Sequence, residues 1–137
     1  MKTQVIVCMS DDKTRVFACP DQDSVEFLLL DLRDGLKNID GVMAADKYIR
    51  LQGMVTRGEI NNLPKYDQDM HAGLLKLLLT RHVHWLTDKF PRSAWVKSAS
   101  DDQTNLGYAA WIVKKAASTK QSITVLPEAV KYMEEKY

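Results

Sequence analysis

Apolar residues between Asp67 and Phe90 recur at helical spacing and predict one long α-helix. Their arc is wider than the apolar stripe of a surface helix, so neighbours should contact this helix on several sides. It would be roughly 36 Å long, comparable to the diameter of a compact domain of this size. The apolar side comprises Leu74, Leu75, Leu78, His82, Trp85 and Leu86, widened by Leu77, Leu79 and Val83. The solvent side comprises Lys76, Thr80, His84 and Thr87.

A β-hairpin is predicted from two runs rich in β-branched residues, TQVIVCM from Thr3 and TRVFAC from Thr14. Residues that favour a turn separate the two runs. In the expected register, Cys8 faces Phe17 and lies diagonally from Cys19 on one sheet face. The two cysteines then form either a disulfide or a pair of small buried thiols, and a reducing compartment favours the thiols.

The helix after the hairpin has a capping-box-like start, because Glu26 follows Asp23 at three residues. The turn residues Asp40-Gly41 are expected to end it. The segment from Gly41 to Arg57 is ambiguous, because part of it fits the spacing of a helix and part fits the alternation of a strand. A short helix followed by a strand at Tyr48 to Gln52 is the preferred interpretation, because those five residues alternate as a strand does.

Short elements are predicted beyond Pro91. They are a strand at Ala94 to Lys97, a helix from Asp101 through Ala117, an edge strand at Ser122 to Val125, and an amphipathic helix that begins at Pro127. Tyr108 to Val113 also fits a buried strand, and the pattern leaves both interpretations open.

These elements predict a single compact α+β domain over residues 1–137. The N-terminal β-hairpin is extended by later strands into a small, mostly antiparallel sheet. That sheet packs against the long central helix at about 67–90 and three or four shorter helices. No internal repeat and no linker divides the chain.

Composition restricts the class of protein. A chain of 137 residues that is 45% hydrophobic and 27% charged is typical of a soluble globular domain. The apolar runs are too short to span a bilayer, which needs about 20 residues, so no membrane partner is expected. No signal-peptide pattern follows Met1, and we expect a cytoplasmic protein.

The net charge of +1 conceals an uneven distribution. Asp11 to Asp46 holds nine acidic and four basic residues, whereas Lys47 to Ser100 holds nine basic and four acidic ones. One part of the surface should therefore attract what the other repels.

The three histidines, His71, His82 and His84, fall in the long helix but cannot share a metal ion. His71 and His82 are about 16 Å apart along the axis, and His82 and His84 project about 200° apart. On the apolar face, His82 should be a neutral imidazole bonded to a backbone carbonyl. Asp67 could orient His71 as a general base, but helix capping explains the same residue and is preferred. The sequence leaves open whether the three histidines are structural or functional.

Motifs that define common enzymes are absent. The chain lacks GxxxxGK[ST], GxGxxG, HExxH, CxxC and a glycine elbow around serine. No bound cofactor is expected. An enzyme is the less favoured class, and its concrete form would be a small hydrolase or nuclease with a His/Asp site.

Nucleic-acid binding is an alternative function. It would use the basic region from residue 47 to 97, with Tyr48 and Trp95 available to stack on bases. The basic candidates are Arg50, Arg57, Lys65, Arg92 and Lys97. These positions are scattered along the sequence and do not form a dense stripe.

The preferred function is a non-enzymatic protein-binding factor: an adaptor, inhibitor or complex subunit that acts by steric occlusion. Two groups of residues fall outside the core stripes of their helices, and each is either covered by another part of the chain or in contact with a partner. They are Phe27, Leu30, Asp31 and Asp34 on the first helix, and Tyr108, Trp111 and Ile112 on a later one. The partner would be another protein or a second copy in a homodimer.

Overall fold

A computed structural model describes residues 3–8, 14–19, 22–56, 65–120 and 123–137 of the chain. Within these ranges the chain forms two short strands and six α-helices. The strands are β1 (Thr3–Cys8) and β2 (Thr14–Cys19). The helices are α1 (Gln22–Leu36), α2 (Gly41–Thr56), α3 (Lys65–Lys89), α4 (Arg92–Ser100), α5 (Tyr108–Ser118) and α6 (Pro127–Lys136).

The long central helix is confirmed as α3, and it packs against α1, α2 and α6. Its core face is fully buried, with Leu74 1% and Leu78 and Leu86 0% exposed. The strip predicted to face solvent is exposed at Lys76, Thr80 and His84 and half-buried at Thr87. Contacts on several sides explain why the apolar arc of this helix is so wide.

The strand predicted at Tyr48 to Gln52 is wrong, because those residues lie inside α2. Asp40 does not close α1 but begins α2. Its Oδ1 accepts hydrogen bonds from the backbone N–H groups of Val42 at 3.0 Å and Met43 at 3.1 Å. The buried positions then recur at helical spacing, at Ala44, Ala45, Tyr48 and Leu51.

The α+β class is also wrong, since the domain is helical. The residues predicted as a strand at Ala94 to Lys97 lie in α4, and residues 123–126 form no strand. Later strands therefore do not extend the N-terminal hairpin in any part of the chain that the structure describes. Among the side chains that the structure describes, the buried core is built from the helices and from the segment before α6.

The register of the hairpin differs from the expected one. β1 and β2 are antiparallel, with Cys8 opposite Thr14 and Cys19 opposite Thr3. The two cysteines therefore lie at opposite ends of the ladder, five residues apart along it, or roughly 16 Å. A disulfide needs Cα atoms within about 7 Å, so this register excludes a bridge between Cys8 and Cys19.

The C-terminal helices are joined to α3 through aromatic residues. The Tyr108 hydroxyl donates to the Phe90 carbonyl at 2.6 Å, and the Trp95 indole N–H donates to the Leu106 carbonyl at 2.9 Å. The Tyr108 ring stacks on Trp111 with centroids 6.2 Å apart. These contacts fix α4 and α5 at the end of α3, and α5 excludes the strand interpretation of Tyr108 to Val113.

Candidate functional site

The aromatic side chain of Phe27 on α1 projects into solvent. Phe27 is 72% exposed, more than any other large apolar side chain in the described residues. Leu30 beside it is half-buried, and Asp31 and Asp34 are exposed. Together with exposed Asp23, these side chains project within an arc of about 100° and form one surface, which we call the α1 face. The structure thus brings together the four α1 residues that the sequence selected.

The α1 face is acidic. Between Asp23 and Lys37 the sequence has four acidic and two basic residues. Asp34 Oδ1 lies 3.3 Å from Lys37 Nζ and 3.8 Å from Arg33 Nε, but these pairs are exposed and contribute little to stability. The carboxylates of Asp23 and Asp31 have no basic group within 4 Å among the described residues. A cation brought by a partner would therefore find carboxylates around Phe27.

The second predicted anchor group lies inside the protein. Tyr108 and Trp111 are each 5% exposed and Ile112 is 0% exposed. They fall outside a narrow core stripe because α5 is covered on two sides, by α4 and by α6. These three side chains complete the core, and they do not offer a surface to a partner.

The basic residues considered for nucleic-acid binding do not come together in the described structure. Arg50 on α2 is half-buried and its Nη2 lies 3.3 Å from Asp46 Oδ2. Arg92 and Lys97 are exposed on α4, a helix that does not pack against α2. Lys65 is the first residue of α3, and Arg57 lies outside the described residues. Among the described side chains, Arg50 therefore does not form one basic face with Arg92 and Lys97.

The histidines were also candidates for a His/Asp site. His84 Nε2 lies 3.4 Å from Asp88 Oδ2, but the two side chains are 70% and 71% exposed, as in an ordinary surface pair one turn apart. The pairing of His71 with Asp67 involves a side chain outside the described ones. Within the described residues, no group of three or more His, Cys, Asp or Glu could hold a metal ion. The described geometry thus supplies no buried acid/base pair.

His82 joins three segments of the chain and is structural. The residue is 0% exposed, and its Nδ1 lies 2.6 Å from the Gly41 carbonyl oxygen at the start of α2. Because a carbonyl can only accept, Nδ1 carries the proton, and Nε2 accepts from the Leu126 backbone N–H at 3.4 Å. The prediction of a neutral imidazole bonded to a backbone carbonyl is confirmed. Trp85 lies directly against Gly41, because a Cβ built on that glycine would overlap the Trp85 side chain. We call the contacts among Gly41, His82, Trp85 and Leu126 the His82 junction.

Two buried histidines should make the fold sensitive to acid. Burial lowers the pKa of His71 and of His82, whose bond to Gly41 opposes the shift only in part. His71 is 4% exposed, and its Nε2 has no hydrogen-bond partner within the described part of the chain. Both side chains are therefore more easily protonated in the unfolded state than in the folded state.

The stability should fall as the pH drops through about 6.5, the unfolded pKa of histidine. Below this pH the unfolded state binds more protons than the folded state does. Each buried histidine should then lower the free energy of unfolding by up to about 1.4 kcal/mol for each pH unit. Urea unfolding at a series of pH values between about 7 and about 5.5 measures this slope. Equal stability at both ends of that range would contradict the prediction.

None of the helices in the described part of the chain is long and apolar enough to cross a membrane. The chain matches no protein-family model, no curated protein and no solved structure.

Proposed function

We propose that the protein is a cytoplasmic, non-enzymatic protein-binding factor, an adaptor, inhibitor or complex subunit, that binds its partner through the α1 face. The observation that carries this proposal is the 72% exposure of Phe27 on a helix whose opposite side is packed in the core. Burying such a ring on a partner is worth about 1.5–3 kcal/mol from apolar area alone. Aromatic side chains in this position are frequent centres of binding energy at protein interfaces.

The carboxylates around Phe27 define the chemistry of the partner. Asp23, Asp31 and Asp34 would be repelled by an acidic surface and attracted by a basic one. Two copies that associate through the same face would bring their carboxylates together, so charge disfavours a symmetric homodimer here. The partner that fits is a different protein with an apolar pocket surrounded by lysine and arginine.

Binding of this kind acts by steric occlusion. Long-range attraction between the acidic α1 face and a basic partner raises the association rate, and the buried Phe27 ring slows dissociation. The bound domain then covers the partner's pocket and excludes other ligands from it. No reaction and no cofactor is required.

Replacing Phe27 with glutamate should weaken partner binding by at least about tenfold while leaving the fold intact. The substitution removes the apolar anchor and places a charge where the partner is apolar. The matched control is Ile49→Glu, because Ile49 is 53% exposed on α2, a different helix. Leu30 is not used, since it is half-buried and its loss would also disturb the packing of α1.

The measurement compares wild type and both variants in affinity capture from native cell extract, followed by binding constants for the purified partner. Raising the salt concentration from about 0.05 M to 0.5 M should slow association, because screening weakens the acidic rim. Equal capture by wild type and Phe27→Glu would reject the α1 face. Sedimentation velocity of the protein alone would reveal a second copy as the partner instead.

A further inference from the structure

A small polar pocket lies between α4, the turn that follows it and α5. Its volume of about 170 Å³ is below the range of about 300–1,000 Å³ that is typical of sites for drug-sized molecules. The indole of Trp111 contributes apolar surface. Every other described lining residue carries a hydroxyl, amide or ammonium group, namely Ser98, Gln103, Thr104, Lys114, Lys115 and Ser118. The pocket therefore has room for one small polar group and several hydrogen-bond donors to bind it.

The lining of this pocket is basic. Lys114 and Lys115 belong to it, whereas none of its described lining residues is acidic. Neither lysine has a carboxylate within 4 Å in the described part of the chain. Asp101 and Asp102 are exposed on the turn after α4 and do not line the pocket. From residue 103 to residue 127 the sequence has three lysines and no acidic residue, so an anion would find positive charge here.

The two lysines are not needed to cap α5. Basic side chains near the end of a helix often bind its last carbonyl groups. Here the Lys114 carbonyl accepts from the Ser118 hydroxyl at 2.8 Å, and the Ala116 carbonyl accepts from two backbone N–H groups at 3.2 and 3.3 Å. Lys115 Nζ lies instead 5.7 Å from the centroid of the Trp111 ring, which also lines the pocket. The ammonium groups therefore remain available to a ligand.

The opposite wall of the pocket is fixed by backbone hydrogen bonds. The Gln103 N–H donates to the Ser98 carbonyl at 2.9 Å, and a second bond of 3.2 Å from the Asp102 N–H completes a Schellman motif at the end of α4. Asp102 has the positive φ of 56° that this motif requires. Thr104 Oγ1 accepts a backbone N–H at 3.2 Å, so its hydroxyl proton can be donated to a ligand. These side chains are thus positioned before anything binds.

We propose that this pocket binds the phosphate group of a phosphate monoester. At pH 7 such a group carries a charge of about −1.5 to −2 and three strong acceptor oxygens. The two lysines balance that charge, and the hydroxyls of Ser98 and Thr104 and the amide of Gln103 supply further donors. A carboxylate has one charge and two oxygens, so it would leave one lysine without a counter-charge.

The site contains no residue of the α1 face, and it stands apart from the proposed function. Because the pocket holds about 170 Å³, only the phosphate group enters it and the rest of the monoester lies outside. The group therefore serves as the anchor, whether a small molecule or a phosphorylated protein side chain carries it.

The test removes the positive charge of the pocket and compares it with an equal loss of charge elsewhere. The pocket variant carries Lys114→Gln and Lys115→Gln together. The matched control carries Lys76→Gln and Lys131→Gln, because these lysines are exposed on α3 and α6 and do not line the pocket. Each double variant loses two positive charges, and all four side chains are exposed, so both variants should melt at the temperature of wild type.

Nuclear magnetic resonance of isotope-labelled protein locates the binding. Inorganic phosphate is titrated at constant ionic strength, because added salt alone screens charges. The signals of the Trp111 indole N–H and the Gln103 side-chain amide should shift and saturate in wild type and in the control variant. Binding should be at least about tenfold weaker in the pocket variant, since hydrogen bonds to charged groups are lost.

Three results would overturn the proposal. They are the absence of a saturable shift at Trp111 and Gln103 in wild type, equal weakening in the two double variants, and equal binding of phosphate and dimethyl phosphate. Dimethyl phosphate is a diester with a single charge, and the site should bind it at least about tenfold more weakly. A single-stranded oligonucleotide that binds through the lysines while phosphate does not would assign them to nucleic acid and overturn the pocket as well.

A phosphoserine peptide and its unphosphorylated form identify the carrier of the phosphate group. Tighter binding of the phosphopeptide than of inorganic phosphate, lost in the pocket variant, would support the site with a protein as the carrier. Phosphopeptide binding no tighter than that of inorganic phosphate would support it with a small molecule as the carrier. Equal binding of the two peptides, both lost in the pocket variant, would show that the phosphate is not recognised and would overturn the proposal.

Discussion

Replacing His82 with alanine is expected to lower the free energy of unfolding by about 3–5 kcal/mol. The imidazole is 0% exposed, and the surrounding helices would have to collapse into the space it leaves. The Gly41 carbonyl and the Leu126 backbone N–H would also lose their bonds of 2.6 Å and 3.4 Å. A buried polar group without a partner costs about 1–3 kcal/mol, which adds to the loss of apolar contacts.

Urea unfolding of His82→Ala, followed by tryptophan fluorescence, measures this effect. His84→Ala is the control, because His84 is 70% exposed two residues away and should change stability by no more than about 0.5 kcal/mol. If His82→Ala loses less than about 1 kcal/mol, the His82 junction is not a main support of the fold. A loss of the expected size assigns a structural role to this histidine.

Elements could be predicted from the sequence where apolar residues recur with one clear helical period. The long helix was expected at Asp67 to Phe90 and lies at Lys65–Lys89, because leucine occupies its core face over three turns. The first helix was recognised by its start at Asp23 and its narrow stripe. In both helices, burial in the folded protein follows the same period as the sequence, so local pattern and tertiary packing agree.

The secondary-structure predictions were wrong in segments where buried small residues or exposed apolar residues weaken the helical period of hydrophobicity. In α2 the core side is formed partly by Ala44 and Ala45, while Ile49 is 53% exposed. Because an isoleucine is exposed and alanines are buried, the hydrophobicity of the sequence does not mark the buried side of α2. The pattern that remains resembles the alternation of apolar and polar residues in a strand. The strands predicted after the hairpin suggested a larger sheet. In the structure these segments instead form helices or irregular chain, and tertiary contacts between helices outweigh the local strand preference.

The candidate site was predictable only in part. Helical geometry places Phe27 outside the core stripe of α1 but leaves open whether another part of the chain covers it, and only the structure shows the ring exposed. The same argument selected Tyr108, Trp111 and Ile112, which α4 and α6 cover.

The proposed interface and the His82 junction involve different residues. Phe27 belongs to the proposed interface, whereas Gly41 and His82 hold α2, α3 and the segment before α6 together. Replacing exposed Phe27 should therefore change binding at constant stability, and variants of the junction should change stability first. This separation makes the binding experiments interpretable, because a loss of binding can be distinguished from a loss of fold.

Replacing Gly41 with alanine should lower the free energy of unfolding by about 2–3 kcal/mol, a large effect for one added methyl group. A Cβ at this position would overlap the Cβ and Cγ atoms of Trp85, which belong to the rigid base of that side chain. Relief requires α2 to move away from α3, and this movement lengthens the bond from His82 to the Gly41 carbonyl. Gly73→Ala is the control: no atom lies within 4 Å of its Cβ, and it should gain about 0.5–1 kcal/mol. Both variants are compared by urea unfolding. Equal stability of Gly41→Ala and Gly73→Ala would contradict the prediction, because it would mean that Trp85 moves aside at little cost and that α2 and α3 are not in close contact at Gly41.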